Sequence, residues 1–185
     1  FVYVRQKGPY GTATPVMCAR HLIAEDEPFA VMWGDEFIYA NPPRLKQMID
    51  VFNKSKKSVI SAILIPNKKD LSRYGIAKIR PIKDNIYQIL SIVEKPKPEK
   101  APSNLAAHGA YILTPKIWHY LEKLKPGKGE ELWLADAIDA LCRKEKVLAC
   151  EIKNGKYYDT GNKLEYIKAN IEFALSRPEF NGALK

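Results

Sequence analysis

The stretch EPFAVMWGDE, residues 27–36, carries five apolar residues without a polar break, followed at once by Gly34, Asp35 and Glu36. A short, continuous apolar run is the pattern of a strand buried on both faces, as in a parallel sheet. In open α/β sheets, ligands sit beyond the carboxyl ends of such strands. Asp35 is therefore expected where a rigid element delivers it to a site. A carboxylate there is a hard oxygen ligand, suited to Mg²⁺ that carries substrate phosphates. The plainer alternative is a strand followed by a turn, with Asp35 capping a backbone N–H.

Outward from that strand, the first part of the chain alternates elements. Residues 1–5 alternate like a strand. Residues 6–15 read as loop, and residues 15–24 as a helix with Val16, Ala19, Leu22 and Ile23 on one stripe. Residues 44–54 repeat Leu45, Met48, Ile49 and Phe52 at helical spacing, and residues 59–65 form another apolar run stopped by Pro66. The order strand, helix, strand, helix, strand predicts a parallel sheet with crossover helices.

Beyond that point the pattern changes. Residues 75–80 and 86–93 read as two strands joined by the polar turn Lys83-Asp84-Asn85. Residues 105–113 read as a strand, 115–123 and 130–144 as helices, and 147–152 and 156–158 as short strands. The last helix opens at Asn162-x-x-Glu165, a capping-box pattern, and stops before Pro178. Its stripe is Leu164, Ile167, Ile171 and Leu175.

Composition narrows the function. The 185 residues are enough for one domain with a sizeable core, and 46% hydrophobic with 28% charged residues fits a folded protein. No apolar run approaches a membrane span of about 20 residues. Three cysteines without CxxC spacing argue against a disulfide framework and for a reducing, cytoplasmic compartment. His21, His108 and His119 lie far apart and suit no zinc pattern, so each is expected to be an ordinary surface or core histidine. The net charge of +9 fits attraction of phosphorylated small molecules. The basic residues are spread along the chain without interleaved aromatics, which argues against a nucleic-acid partner.

Four loop-borne groups combine small residues with charge. Gln6-Lys-Gly-Pro-Tyr-Gly-Thr12 lets a flat ligand approach backbone, and the Gln6 amide is able to read a base edge. Gly34-Asp35 is the second. In Val93-Glu-Lys-Pro96, an extended backbone would point Glu94 and Lys95 to opposite sides, one for sugar hydroxyls and one for a phosphate. Tyr157-Tyr-Asp-Thr-Gly-Asn162 sets Asp159 in a glycine turn before a capped helix. Asp35 and Asp159 are candidates to converge on one Mg²⁺.

Taken in order, YVRQ, GDE, YGIA, VEKPKPEKAPSNLA, GAYILTP, GKGEELWLADAI and YYDTGNKLEYIKANIEFAL closely resemble the bacterial UTP–glucose-1-phosphate uridylyltransferases, from Tyr3 to about Glu179. The resemblance implies an α/β fold with a Rossmann-like nucleotidyltransferase core, a mixed and mainly parallel sheet, and a single domain over residues 1–185. It implies a Mg²⁺-dependent enzyme that makes UDP-glucose and pyrophosphate from UTP and glucose 1-phosphate, with no membrane partner and with several copies associating in the full-length protein. Carried over residue by residue, Gln6 contacts the uracil with Gly11 in the nucleotide loop. Asp35 and Asp159 hold the metal. Gly75 and Glu94 hold the glucose, Glu130 or Glu131 lies near it, and Lys95 holds the sugar phosphate. Asp35, Lys95 and Asp159 are the expected catalytic set.

The departures are specific. The family's base loop commonly reads Gly-Leu-Gly-His, whereas this chain has Gly11-Thr-Ala-Thr14. The usual Gly-Asp-Asp is Gly34-Asp35-Glu36. The family's Gly-rich triphosphate loop is absent from these residues, so the expectation is a C-terminal portion with little activity in isolation. A thymidylyl- or cytidylyltransferase, or a non-catalytic nucleotide-sugar-binding paralogue, remains the alternative.

Overall fold

The computed structural model describes residues 1–184. Its elements in chain order are α1 (Ala13–Cys18), β1 (Phe29–Met32), β2 (Glu36–Ala40), α2 (Arg44–Ser55), β3 (Val59–Leu64), β4 (Gly75–Lys83), β5 (Ile86–Glu94), β6 (Leu105–Leu113), α3 (Ile117–Leu121), α4 (Leu134–Cys142), β7 (Val147–Glu151), β8 (Gly155–Asp159), α5 (Lys163–Ser176) and α6 (Pro178–Leu184). Among the described residues no helix is long and apolar enough to cross a membrane.

Six strands form one mixed sheet in the order β1-β6-β3-β7-β5-β4, and β2 pairs with β8 in a separate two-stranded sheet. The mixed α/β architecture is the expected one, but its neighbour relations differ from a mainly parallel sheet. Strands β1, β3, β7 and β4 run one way, yet β3–β7 is the one parallel neighbour pair among the described residues. The reason is that the connection from β1 through α2 to β3 skips a position. Strand β6 returns through that gap, antiparallel to both. The β4–β5 hairpin adds a second reversed strand, and its turn places Asp84 at φ 49°.

Residues on alternate sides of the sheet feed two cores. Ile60, Ala62, Leu113, Val147 and Ala149 pack with Trp118 and Leu121 of α3 and Ile138 and Leu141 of α4. Val59, Ile112, Leu148 and Cys150 pack with Met48 and Val51 of α2 on the other side. Burying such side chains contributes roughly 1.5–3 kcal/mol each.

Several local expectations change. Strand β1 is not buried on both faces. It sits at one end of the described sheet, with Ala30 and Met32 exposed and Phe29 stacked on Trp118 at 4.7 Å between ring centroids. Its unbroken apolar run therefore serves one packed face and one open face. Residues 1–5 form no strand and are exposed, because no neighbouring strand pairs with them. The helix expected over residues 130–144 begins only at Leu134. The segment before it is extended and clamped to the loop at residues 10–13, through Leu132 N–H to the Tyr10 carbonyl and Ala13 N–H to the Leu132 carbonyl. The stripe on α5 is not buried: Leu164, Ile167 and Ile171 are 58%, 54% and 54% exposed. That helix is set by its cap instead, with the Asn162 side chain accepting from Leu164 and Glu165 N–H.

Candidate active site

Strand β6 changes neighbours halfway along. Residues 105–107 lie between β3 and β4, and residues 110–113 between β1 and β3. His108 and Gly109, at the change, belong to no strand register, and the Gly109 carbonyl accepts from Trp33 N–H. A cavity of about 340 Å³ opens there. Its walls include Asp35, Glu36, Arg73, Tyr74, Gly75, Glu94, Lys95, His108, Trp133, Tyr157 and Asp159.

One wall carries the two carboxylates expected to converge. Asp35 follows β1 and Asp159 ends β8, and pairing of Glu36 with Asp159 brings the two loops together. The Asp35 carbonyl accepts from Thr160 N–H, Thr160 Oγ1 and Gly161 N–H at 2.8, 2.7 and 3.1 Å. Gly161 has no side chain, and a Cβ there would lie 3.2 Å from Asp35 Oδ2 and 3.3 Å from Asp159 Oδ1. Two carboxylate oxygens thus approach the bare face of one glycine. The other oxygen of Asp159 accepts from Arg73 Nη2 at 2.8 Å, which fixes the carboxylate. Among the described residues no cluster of three or more acid, histidine or cysteine side chains forms a closed metal cage. Two carboxylates on an open wall suit Mg²⁺, which keeps waters and takes its remaining ligands from substrate phosphates.

The opposite wall is built by the β4–β5 hairpin. Gly75 pairs with Glu94, and a Cβ on Gly75 would meet Glu94 Oε2 at 2.9 Å, so the glycine makes room for that carboxylate. Burial raises the Glu94 pKa, the adjacent Lys95 charge opposes the rise, and Asp136 adds to it. Lys95 has φ 45°, a left-handed conformation, and its N–H donates to the Tyr74 carbonyl. The backbone is therefore not extended here, and Glu94 and Lys95 line the same cavity instead of opposite sides. Lys95 Nζ lies 5.0 Å from the Trp133 ring centroid, a cation–π contact that steers the ammonium. Tyr157 and Tyr74 complete the floor as neutral phenols, their pKa values raised chiefly by burial.

The other expected residues lie elsewhere. Gln6 is exposed, with its amide donating to the Pro9 carbonyl, and does not line this cavity. Gly11 does not line it either. At φ 117°, a Cβ on Gly11 would collide with the Leu132 carbonyl, so the glycine permits the clamp that positions Thr12 on the cavity wall. Glu131 lines an adjoining cavity of about 440 Å³ that shares Glu94, Lys95 and Trp133 with the first. Glu130 is exposed on the turn before it.

Sequence reasoning missed His108, Arg73, Tyr74 and the buried pair behind them. Glu36 and Arg44 are 6% and 4% exposed and pair at 3.1 Å. Glu36 Oε2 also lies 2.6 Å from His108 Nε2. His108, expected to be a core or surface histidine, is largely buried and lines the cavity wall. No spacing signal links residues 36, 44 and 108.

A protein-family model described as nucleotidyl transferase matches residues 1–175. The chain belongs to the nucleotidyl transferase family. It is 39% identical over 183 residues to the UTP–glucose-1-phosphate uridylyltransferase YngB of Bacillus subtilis, covering 98% of this chain and 60% of that protein. A solved UDP-glucose pyrophosphorylase complexed with UDP-glucose superposes with a TM-score of 0.90 at 35% identity, over 96% of this chain and 67% of that one. A UTP-bound UGPase from Acinetobacter baumannii gives 0.79 at 31% identity, over 91% and 57%. The chain therefore spans about 60% of the length of the curated relatives it matches. Within this family's fold, the cavity sits where β6 changes neighbours and both small and large sheets contribute walls.

Proposed function

We propose that these residues form the sugar-phosphate and metal-binding part of a UTP–glucose-1-phosphate uridylyltransferase. The observation that carries the reading is the approach of Asp35 Oδ2 and Asp159 Oδ1 to the bare face of Gly161, in the same cavity as Glu94 and Lys95. The relatives named UTP–glucose-1-phosphate uridylyltransferase, and the solved relatives holding UDP-glucose or UTP, support the choice of substrate.

In this reading Lys95 holds the phosphate of glucose 1-phosphate as a point charge, and Glu94 and the Gly75 backbone receive the glucose. A phosphate oxygen of the sugar attacks the α-phosphorus of UTP in line. The new oxygen–phosphorus bond forms as the bond to the pyrophosphate oxygen breaks, and pyrophosphate leaves. No protein nucleophile is needed, because positioning and charge stabilisation supply the rate. Asp35 and Asp159 would hold Mg²⁺, which supplies neutralisation of phosphate charge. Arg73, on the same cavity wall, orients Asp159.

The test is to supply the protein that carries these residues with glucose 1-phosphate and either UTP, dTTP or CTP, and to measure pyrophosphate release. The expected outcome is Mg²⁺-dependent release with UTP well above the other two. Equal use of dTTP, or UDP-glucose binding without turnover, would replace this reading with one of its alternatives.

A further inference from the structure

The buried pair Glu36–Arg44 is complete as an ion pair, yet it also engages a third polar group. His108 Nε2 lies 2.6 Å from Glu36 Oε2. Both atoms are sealed from solvent, and each would be an orphaned buried polar atom unless a hydrogen lies between them. Arg44 donates to the other oxygen, Glu36 Oε1, and a carboxylate so paired accepts from Nε2 through Oε2. In the neutral imidazole the remaining ring nitrogen, Nδ1, then presents a lone pair. It is not among the sealed atoms and makes no hydrogen bond with any described residue.

The ring itself is fixed. Tyr74 and Tyr157 meet it edge-on, with centroids at 4.9 and 4.5 Å. Glu36 in turn has one available place: a Cβ on Gly109 would collide with its carboxylate, so the glycine next to His108 makes room for the acid that orients it. The imidazole shares its wall with Tyr74, Gly75 and Glu94. An acceptor held this firmly on a polar cavity wall suits a neutral ligand rich in hydroxyl donors.

We infer that His108 reads the hexose: its Nδ1 accepts a hydrogen bond from one sugar hydroxyl, and Glu36, backed by Arg44, is the positioning residue that holds the ring for this. The inference rests on the proposed function, in that the cavity takes the glucosyl group. It adds a specificity-determining side chain to Glu94 and divides the Asp35-Glu36 pair into two tasks. Asp35 faces the phosphates, and Glu36 faces the sugar through His108.

The test is calorimetric titration of the protein that carries these residues with UDP, UDP-glucose, and UDP-glucose analogues deoxygenated or fluorinated at single positions. Wild type should bind the analogue altered at one position about tenfold more weakly than UDP-glucose, for deoxy and fluoro forms alike, because fluorine donates no hydrogen. His108→Ala should weaken UDP-glucose about tenfold, leave UDP unchanged, and no longer distinguish that analogue. Glu36→Gln should lose the same discrimination while keeping UDP affinity. Unchanged UDP affinity certifies the fold of each variant, and His108→Asn, a smaller perturbation, stands in if His108→Ala does not fold. Equal weakening of UDP and UDP-glucose, or retention of the full analogue pattern in the histidine variants, overturns the inference and leaves the proposed function intact. Wild-type protein that binds UDP but not UDP-glucose sinks the proposed function, and this inference with it.

Discussion

The six-stranded sheet and the two-stranded sheet of β2 and β8 stabilise themselves in opposite ways. In the large sheet, Ile60, Ala62, Ile89 and Leu113 have no solvent exposure, and helices cover both faces. In the small sheet, Ile38 joins the core under α2, while Phe37 stacks on Tyr158 and both meet Phe173 of α5, whose Leu164, Ile167 and Ile171 face outward. Yet the small sheet brings Asp35 and Asp159 together, and the large one supplies Glu94, Lys95 and His108. In the proposed reading, the small sheet places the carboxylates for the metal and the large one the groups for the sugar phosphate. Precision at Asp35 and Asp159 comes from hydrogen bonds on the Asp35 carbonyl and from the Arg73 contact, not from a deep apolar core.

The strongest break of this contrast is Asp35→Asn or Asp159→Asn. Each removes a charge from the metal pair without removing packed volume. We expect a loss of about 10³-fold in turnover by the protein that carries these residues, of the order found when one transition-state-stabilising group is removed. Thermal melting should stay close to wild type. A large fall in melting temperature would show that the carboxylates hold the small sheet together.

Packing gives the next effect. Ile60→Ala leaves a cavity in the large sheet and should cost about 2–5 kcal/mol in denaturant unfolding. Ile171→Ala removes an exposed side chain and should stay within about 0.5 kcal/mol. Similar costs at the two positions would mean that the α5 face is covered in solution.

The smallest effect is a pH dependence. Burial holds the Glu94 pKa above its ordinary value in the folded protein. An acid with a raised folded pKa contributes stability that is fully present below its unfolded pKa and lost as pH rises through the folded one. Relative to Glu94→Gln, which does not titrate, wild type should therefore lose stability as pH increases from about 4 towards neutrality. Melting curves over that range check it, and a constant difference between the two proteins would place the carboxyl in water.

What was legible in the sequence was what local pattern determines. Strand β6 was read with its full bounds, the β4–β5 hairpin came from its polar turn, and α5 came from Asn162 and Pro178. Asp35, Gly75, Glu94, Lys95 and Asp159, singled out in the sequence, all line one cavity. Strand β2 was not legible, because its partner lies more than a hundred residues away and its five residues follow a turn directly. The direction of neighbouring strands was not legible either, since an apolar run does not say which strand fills the gap beside it. His108 was invisible for a related reason. Its meaning depends on Glu36 and Arg44, which only the β6 crossing brings beside it.

Lys95 carries a consequence for how such a chain changes over generations. A lysine at φ 45° costs of order 1 kcal/mol that glycine would not. Lys95→Gly would relax the backbone while deleting the ammonium over Trp133. If Lys95 holds the sugar phosphate as proposed, the strained backbone is kept for the charge it places and not for stability.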